Sequence, residues 1–446
     1  MSKEIVARRM LLGMGMGMGM GVGAIALAAR RAEADVPFSS FAFAATGSPT
    51  ARTMPDRLAE IKNVKDFGAR GLGSTDDTAA IQAAVNWSPG PNRGTIYFPV
   101  GMYRITAPIT FQTAPINLRF LGDPGATIVG NFADALLKRD IENVTSGIRI
   151  IENLRFVNEH AAGKSIVIGD CVGAKVVNCH ISSFIGIECG TSSCLTVDTC
   201  SLISPNDKTG IGIAAENATT VLNCDITHFA SGIRHCNLGL NVIGGRIEVN
   251  TYGIEIGRKR NTPAFPNGEV FTSNGFLISG LSMESNVHGI YIVDGAAGHV
   301  TGCGITNNVT GNASGIYIAN ASNCSFTGIS VSTGHSLSDA GIYMNNPLRC
   351  TFDAIGISDA AGTAWRLPTG GQLASLSFRC CSPVVEGSVT VAHLASHASA
   401  APIGTILRVS NANTSTIGAK ITSSGAHNVM ALKIHGNKWT VLGPGT

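Results

Sequence analysis

From about residue 150 onwards the apolar positions recur in one pattern: apolar-x-x-small-x-apolar, a short turn, then Gly-Ile-x-Ile. It reads as Val177-Asn178-Cys179-His180-Ile181 followed by Gly186-Ile187-Glu188-Cys189. It returns as Leu222-Asn223-Cys224-Asp225-Ile226 followed by Gly232-Ile233-Arg234-His235. Further copies are Arg246-Ile247 with Gly253-Ile254-Glu255-Ile256, and Ser282-Met283 with Gly289-Ile290-Tyr291-Ile292. Two more close on Gly315-Ile316-Tyr317-Ile318 and Gly341-Ile342-Tyr343-Met344. With Gly210-Ile211-Gly212-Ile213 included, the repeat glycines are spaced by 24, 22, 21, 36, 26 and 26 residues. Alternation within each copy is the signature of short strands that bury one face. A period in the low twenties with two or three such strands predicts one coil of a parallel β-helix, with coils stacked about 4.8 Å apart. Leucine-rich repeats share the length but need a Leu/Asn signature and a helix. Propeller blades are longer and would carry a Trp-Asp mark.

Cysteine usage agrees with a packed ladder. Of the twelve cysteines, Cys179, Cys200, Cys224 and Cys303 fall at one column beside an apolar neighbour, and are expected inside as small apolar groups. Cys189 with Cys194, and Cys380 with Cys381, stay open as bridges, and no cysteine has zinc-ligand spacing. Asp76, Asp77 and Thr78 can cap the start of a helix whose Ala80, Ile81, Ala84 and Val85 form an apolar stripe. Such a helix can seal the open end of the coil. The expected fold is therefore all-β: a single right-handed parallel β-helix over 62–382 with an N-terminal capping helix. After Pro383 the repeat stops, and 383–446 alternates like a small antiparallel β-rich module with Gly425 and Gly436 at turns.

Charge enters through the N-terminus. Residues 1–34 hold Arg8-Arg9, a Gly/Met/Ala run through Ala29 and then Arg30-Arg31, which reads as a twin-arginine-like export signal with a small-x-small cleavage site at Ala32-Glu33-Ala34. Residues 35–61 read as a linker. Without the signal, 27 basic and 27 acidic side chains remain, so no basic surface for nucleic acid is expected. No stable membrane span is expected once the signal is removed, and the expected location is periplasmic or extracellular.

Candidate chemistry lies on outward positions of stacked strands. Glu248-Val249-Asn250-Thr251-Tyr252-Gly253 and Glu284-Ser285-Asn286-Val287-His288-Gly289 nearly repeat on neighbouring coils. If Ile247 and Met283 point inward, Glu248 and Glu284 point outward one above the other. Stacked carboxylates favour division into an acid and a base. The alternative is that both glutamates face solvent while Asn250 and Asn286 form a turn ladder. Between these coils lies the large insertion 257–272, whose Arg258, Lys259 and Arg260 could meet the carboxylates of an acidic polysaccharide. Tyr291, Tyr317 and Tyr343 fall in one outward column at a spacing of 26 and are a candidate platform for sugar rings. Arg234 with Glu255, and Asp225 with Arg246, are expected as surface ion pairs. Any site is expected on one face carrying Glu248, Tyr252, Glu284, His288 and Tyr291.

Asn63-Val64-Lys65-Asp66-Phe67-Gly68-Ala69, Gly71, Gly73, Asp76-Asp77-Thr78 and Gly94-Thr95-Ile96-Tyr97-Phe98-Pro99-x-Gly101-x-Tyr103 resemble the first coils of pectate-lyase-superfamily β-helices. That group includes glycosidase-28-related proteins and phage tailspikes. The resemblance is close over about 62–130 and stylistic up to about 380. It implies polysaccharide as partner and a monomer or homotrimer. It also implies a secreted lyase or glycoside hydrolase, with a non-catalytic glycan-binding or cell-surface structural β-helix as the rival. Polygalacturonases place Asn-Thr-Asp before a Gly-Ile strand; here Asn250-Thr251-Tyr252 puts a tyrosine where the acid should be. Calcium-dependent pectate lyases would show clustered Asp with an Arg or Lys base, and no cluster of that kind occurs. No metal or other cofactor is therefore indicated, with calcium left open, and His288 or Tyr252 is the candidate lyase base.

Overall fold

The computed structural model describes residues 42–44, 46–47, 49–53, 60–87, 93–111, 117–139, 145–169, 171–190, 194–259, 269–307, 313–333, 340–358, 363–366, 376–379, 381, 406–412, 427–435 and 438–444. Met1–Glu60 and Ile61–Thr446 are separate compact units. In the first, Ala42–Ala44 and Ala51–Thr53 pair antiparallel. The export signal expected at 1–34 lies outside the described residues. No helix among the described residues is long and apolar enough to cross a membrane.

From Ile61 the chain winds through three parallel sheets. One coil shows the plan. In the strand Leu240–Glu248, residues 240–243 pair in the first sheet and residues 245–248 in the second, and Tyr252–Ile256 lies in the third. The next coil repeats it with Leu277–Ser279, Ser282–Glu284 and His288–Ile292. Many corners between sheets carry a residue with positive φ. Between the first and second sheets these are Asn153, Asn178, Thr199 and Asn223, then Gly244, Gly280, Gly302 and Gly328. Asn and Gly tolerate this left-handed backbone best.

The core is a set of one-residue-wide columns. Ile166, Ile187, Ile213, Ile233, Ile254, Ile290, Ile316 and Ile342 pair in register from coil to coil, and all are buried. The expected inward stacking of Ile254, Ile290 and Ile316 is therefore observed. Register also identifies the repeat glycine of one coil as Gly212, not Gly210, because Ile187 pairs with Ile213.

Cys179, Cys200 and Cys224 form the expected inward column, in which the Cys179 N–H donates to Cys200 Sγ (3.4 Å) and the Cys200 N–H to Cys224 Sγ (3.5 Å). Cys303 is buried in the same column, after Gly245 and Leu281 have interrupted it. The bridge considered between Cys189 and Cys194 is not made, and Cys380 lies outside the described residues.

The helix Thr78–Asn86 buries Ile81, Ala84 and Val85 in the core. Its capping differs from expectation. Asp76 accepts from the Thr78 N–H at 3.0 Å, but the Asp77 carboxylate instead receives the amides of Arg70 (2.7 Å) and Gly71 (2.9 Å) and pins the preceding loop. Strands Ile406–Ala412, His427–His435 and Lys438–Pro444 make an antiparallel three-stranded sheet.

One histidine belongs wholly to the core. His235 Nε2 donates to the Asn217 carbonyl (3.0 Å), which leaves Nδ1 to accept from Ser273 Oγ (3.0 Å). Burial pushes its pKa down to about 4. The unfolded chain, with a histidine near 6.5, then binds more protons between about pH 4 and 6.5, so stability is lost as pH falls through that window. Urea midpoints from pH 7 to pH 4 should drop by the equivalent of roughly 3 kcal/mol at most from this residue. His235→Gln should lessen that dependence without abolishing it, because burial lowers the pKa of His288 to about 4 as well; an unchanged slope would mean His235 is not responsible.

Candidate functional site

Outward positions of the third sheet converge on an aromatic cluster. One column runs Ser231, Tyr252, His288, Ser314; its neighbour runs Arg234, Glu255, Tyr291, Tyr317, Tyr343. Tyr252 and His288 stack nearly parallel, with ring centroids 5.5 Å apart and planes 14° apart. Tyr291 lies 4.8 Å from Tyr252 and 5.3 Å from His288. His288 Nδ1 shares a 2.7 Å hydrogen bond with Ser314 Oγ on the next coil. Burial pushes the His288 pKa down to about 4, so at neutral pH the ring is uncharged. Burial also pushes the Tyr291 hydroxyl up to about 12, which keeps it protonated.

The tyrosine column is not the platform expected. Tyr291 and Tyr317 stack at 4.7 Å, and Tyr317 and Tyr343 stack at 4.5 Å with planes 10° apart. Rings this close cover one another's faces, so Tyr317 has no face left for a sugar ring.

Beside Tyr291 lies a charged cluster. Glu255 Oε2 accepts from Arg234 Nε (2.7 Å) and from Ser231 Oγ (2.6 Å), and Oε1 faces Arg258 Nε at 3.1 Å. Arg234 and Glu255 were expected at the surface; their side chains are only 8% and 2% exposed. The column assignment was right, but Arg258 folds back from the inserted segment onto it. Arg246 and Asp225 do form the expected exposed pair, at 59% and 48%.

At the root of the insertion Arg258 bridges Val270, and the Lys259 N–H donates to the Glu269 carbonyl (2.8 Å). Lys259 Nζ lies 3.7 Å over the Phe271 ring, away from the task of Arg258, and Arg260 falls outside the described residues. Arg258 and Lys259 therefore have different partners.

Glu248 and Glu284 are in register as expected, but on the second sheet. Glu248 lies 3.7 Å from Arg246 Nη1 and Glu284 is exposed. The corner at Val249 (φ 58°) separates this pair from Tyr252 and His288, so the single face expected for all five residues is two. That corner is held by the asparagine ladder. Asn250 Oδ1 accepts from the Phe229 N–H (2.8 Å), Asn286 Oδ1 accepts from the Asn250 N–H (3.0 Å), and Asn286 Nδ2 donates to the Ile247 carbonyl (2.7 Å). Both asparagines are structural. Among the described residues no group of His, Cys, Asp and Glu is arranged to hold a metal.

Comparison with known proteins places these features in a family. Over 44 residues, 10% of the chain, the sequence is 57% identical to the mannuronan C5-epimerase AlgE3 of Azotobacter vinelandii, of which this covers 2%. The same length is 57% identical to alginate lyase 7 of that organism, covering 5% of it. The chain thus spans only a small part of these relatives. Among solved structures, the A-module of the Azotobacter vinelandii mannuronan C-5 epimerase AlgE4 superposes with a TM-score of 0.56 at 15% identity, over 73% of this chain and 99% of that one, a likeness of fold. Residues 61–311, more than half of the 446, match the family described as rhamnogalacturonase A/epimerase, pectate lyase-like. The chain belongs to that family of right-handed parallel β-helix proteins.

Proposed function

We propose that this protein is an exported polysaccharide lyase acting on a polyuronate, with its site on the third sheet at Tyr252, His288, Tyr291 and Arg258. The observation that carries the reading is an uncharged histidine stacked on a tyrosine beside a guanidinium. Elimination from a uronate needs those three functions. Arg258 would offset the substrate carboxylate, which makes the C5 proton more acidic. With Nδ1 donating to Ser314, His288 Nε2 takes the proton. The C4–O4 bond then breaks, a C4=C5 double bond forms, and the Tyr252 hydroxyl protonates the departing O4. A bound carboxylate raises the His288 pKa from its low resting value, which strengthens the base when substrate is present. Relatives named as acting on mannuronan and alginate, both uronate polymers, support this substrate class. In this reading the helix Thr78–Asn86 closes the N-terminal end of the coil, and 383–446 is accessory to the reaction.

A panel of polymannuronate, alginate and polygalacturonate tests the reading. The expected result is ultraviolet absorbance from unsaturated uronate together with new reducing ends. Reducing ends without absorbance would mean hydrolysis, solvent deuterium uptake without cleavage would mean epimerisation, and retention without any product would mean a binding protein. Each of these would overturn the lyase assignment.

One observation favours hydrolysis: Glu248 and Glu284 are stacked in register. Glu284→Gln separates the two readings. A lyase working on the third sheet should keep its kcat/KM within about twofold in this variant, since an exposed isosteric change costs little. Loss of turnover would move the site to the second sheet.

A further inference from the structure

Glu255 is buried, and two guanidiniums face it. Arg234 alone would neutralise it through Oε2, with Ser231 Oγ donating to the same oxygen and lying 3.0 Å from Arg234 Nη2. A second cation, Arg258, faces the other oxygen at 3.1 Å. Arg258 also comes from a different source: Arg234 sits in a regular strand, Arg258 at the root of the inserted segment. Its side chain stays 22% exposed while Glu255 is almost closed off. Register puts Glu255 one coil before Tyr291, and Ser231 one coil before Tyr252. The cluster therefore forms the floor of the candidate site, with one of its two positive charges at the rim.

We propose that Glu255, anchored by Ser231 and Arg234, is a positioning residue that holds the Arg258 guanidinium beside Tyr291 as a preformed seat for a uronate carboxylate. The proposal rests on the polyuronate reading above. A fixed guanidinium loses little freedom when a carboxylate arrives, whereas an arginine on an untethered loop would have to be ordered at that moment. Glu255 itself need not touch the substrate.

The test crosses two changes in the full chain. Arg234→Met with Glu255→Gln removes both buried charges together, so that neither is left unpaired; Arg258→Ala removes the seat. Kinetics on polymannuronate and polygalacturonate, retention in gels containing the same polymers, and melting curves are measured for each. Arg258→Ala is expected to raise KM, or to weaken retention, about tenfold, the scale of one charge-assisted hydrogen bond. The paired change should have a similar effect with a similar melting temperature. Combining all three should be no worse than Arg258→Ala alone, because a positioning residue has nothing left to position. Effects that multiply, or a folded paired variant with unaltered KM and retention, would overturn the proposal. Should the paired variant fail to fold, Ser231→Ala loosens Glu255 without changing charge, and the same non-additivity with Arg258→Ala is required. A wild type that binds and cleaves polyuronate while the cycle is additive sinks the positioning role alone. A wild type that neither cleaves nor is retained sinks the functional reading and this proposal with it.

Discussion

Gly253→Ala should destabilise the protein by about 3 kcal/mol, the upper end of what overpacking costs, while Gly304→Ala a few coils away should change stability by less than about 0.5 kcal/mol. The difference follows from what the added methyl group would meet. At Gly253 a Cβ would stand 2.5 Å from the Gly289 carbonyl oxygen and 2.7 Å from Met283 Cε. A methionine can move, but the carbonyl belongs to the next coil and is held by the sheet on both sides. The same close approach repeats along the stack: Gly186 on Gly212 and Gly212 on Gly232 at 2.5 Å, Gly232 on Gly253 and Gly289 on Gly315 at 2.6 Å. Relieving one clash pushes coils apart where their columns are in register. At Gly304 nothing lies within 4 Å of the built Cβ. Urea unfolding of the two variants, followed by circular dichroism, checks the pair. Equal midpoints would mean that the glycine column reflects something other than coil spacing.

That column is also the clearest lesson in what the sequence displays. Gly-Ile-x-Ile was visible because both of its parts answer to one constraint each: the isoleucine fills the core, and the glycine admits the next coil's carbonyl. Gly210-Ile211-Gly212-Ile213 misled because two glycines two residues apart suit a period-two pattern equally well, and only pairing with the neighbouring strand selects Gly212. Outward assignment was correct for Glu255 and Arg234, yet outward did not mean exposed once Arg258 from the insertion turned back onto them. Register fixed that Tyr291, Tyr317 and Tyr343 share a column but carries no information about ring planes, which decide whether a face is left for sugar. Ser231 and Ser314 carry no mark of their own in the sequence, because serine is common in such coils; only alignment with Tyr252 and His288 distinguishes them. Glu248 and Tyr252 are four residues apart, near enough to suggest one face, but the corner at Val249 is invisible without φ.

The largest effect on function is expected at His288 and Tyr252. His288→Gln and Tyr252→Phe should each lower kcat on a cleaved polyuronate by a factor of about 10² to 10⁴, the usual contribution of a positioned acid or base. Neither change removes much volume, so melting temperatures should stay within a few degrees of wild type. The two variants should differ in a way that fixes their roles. Without the tyrosine hydroxyl, proton abstraction survives, and exchange of the C5 proton with deuterated solvent should persist although cleavage is lost. Without the imidazole, both exchange and cleavage should disappear. The pH profile adds an independent check. Desolvation holds His288 neutral down to about pH 4, so the acidic limb of kcat/KM, which reports the free enzyme, should fall near pH 4 rather than near the 6.5 of an exposed histidine. Lowering the pH through that value protonates the base and activity declines with it. The limb of kcat should lie at higher pH, because the substrate carboxylate then stabilises the protonated ring. A kcat/KM limb that remains in His288→Gln at unchanged pH, or exchange that survives loss of the imidazole, would assign the base to another residue.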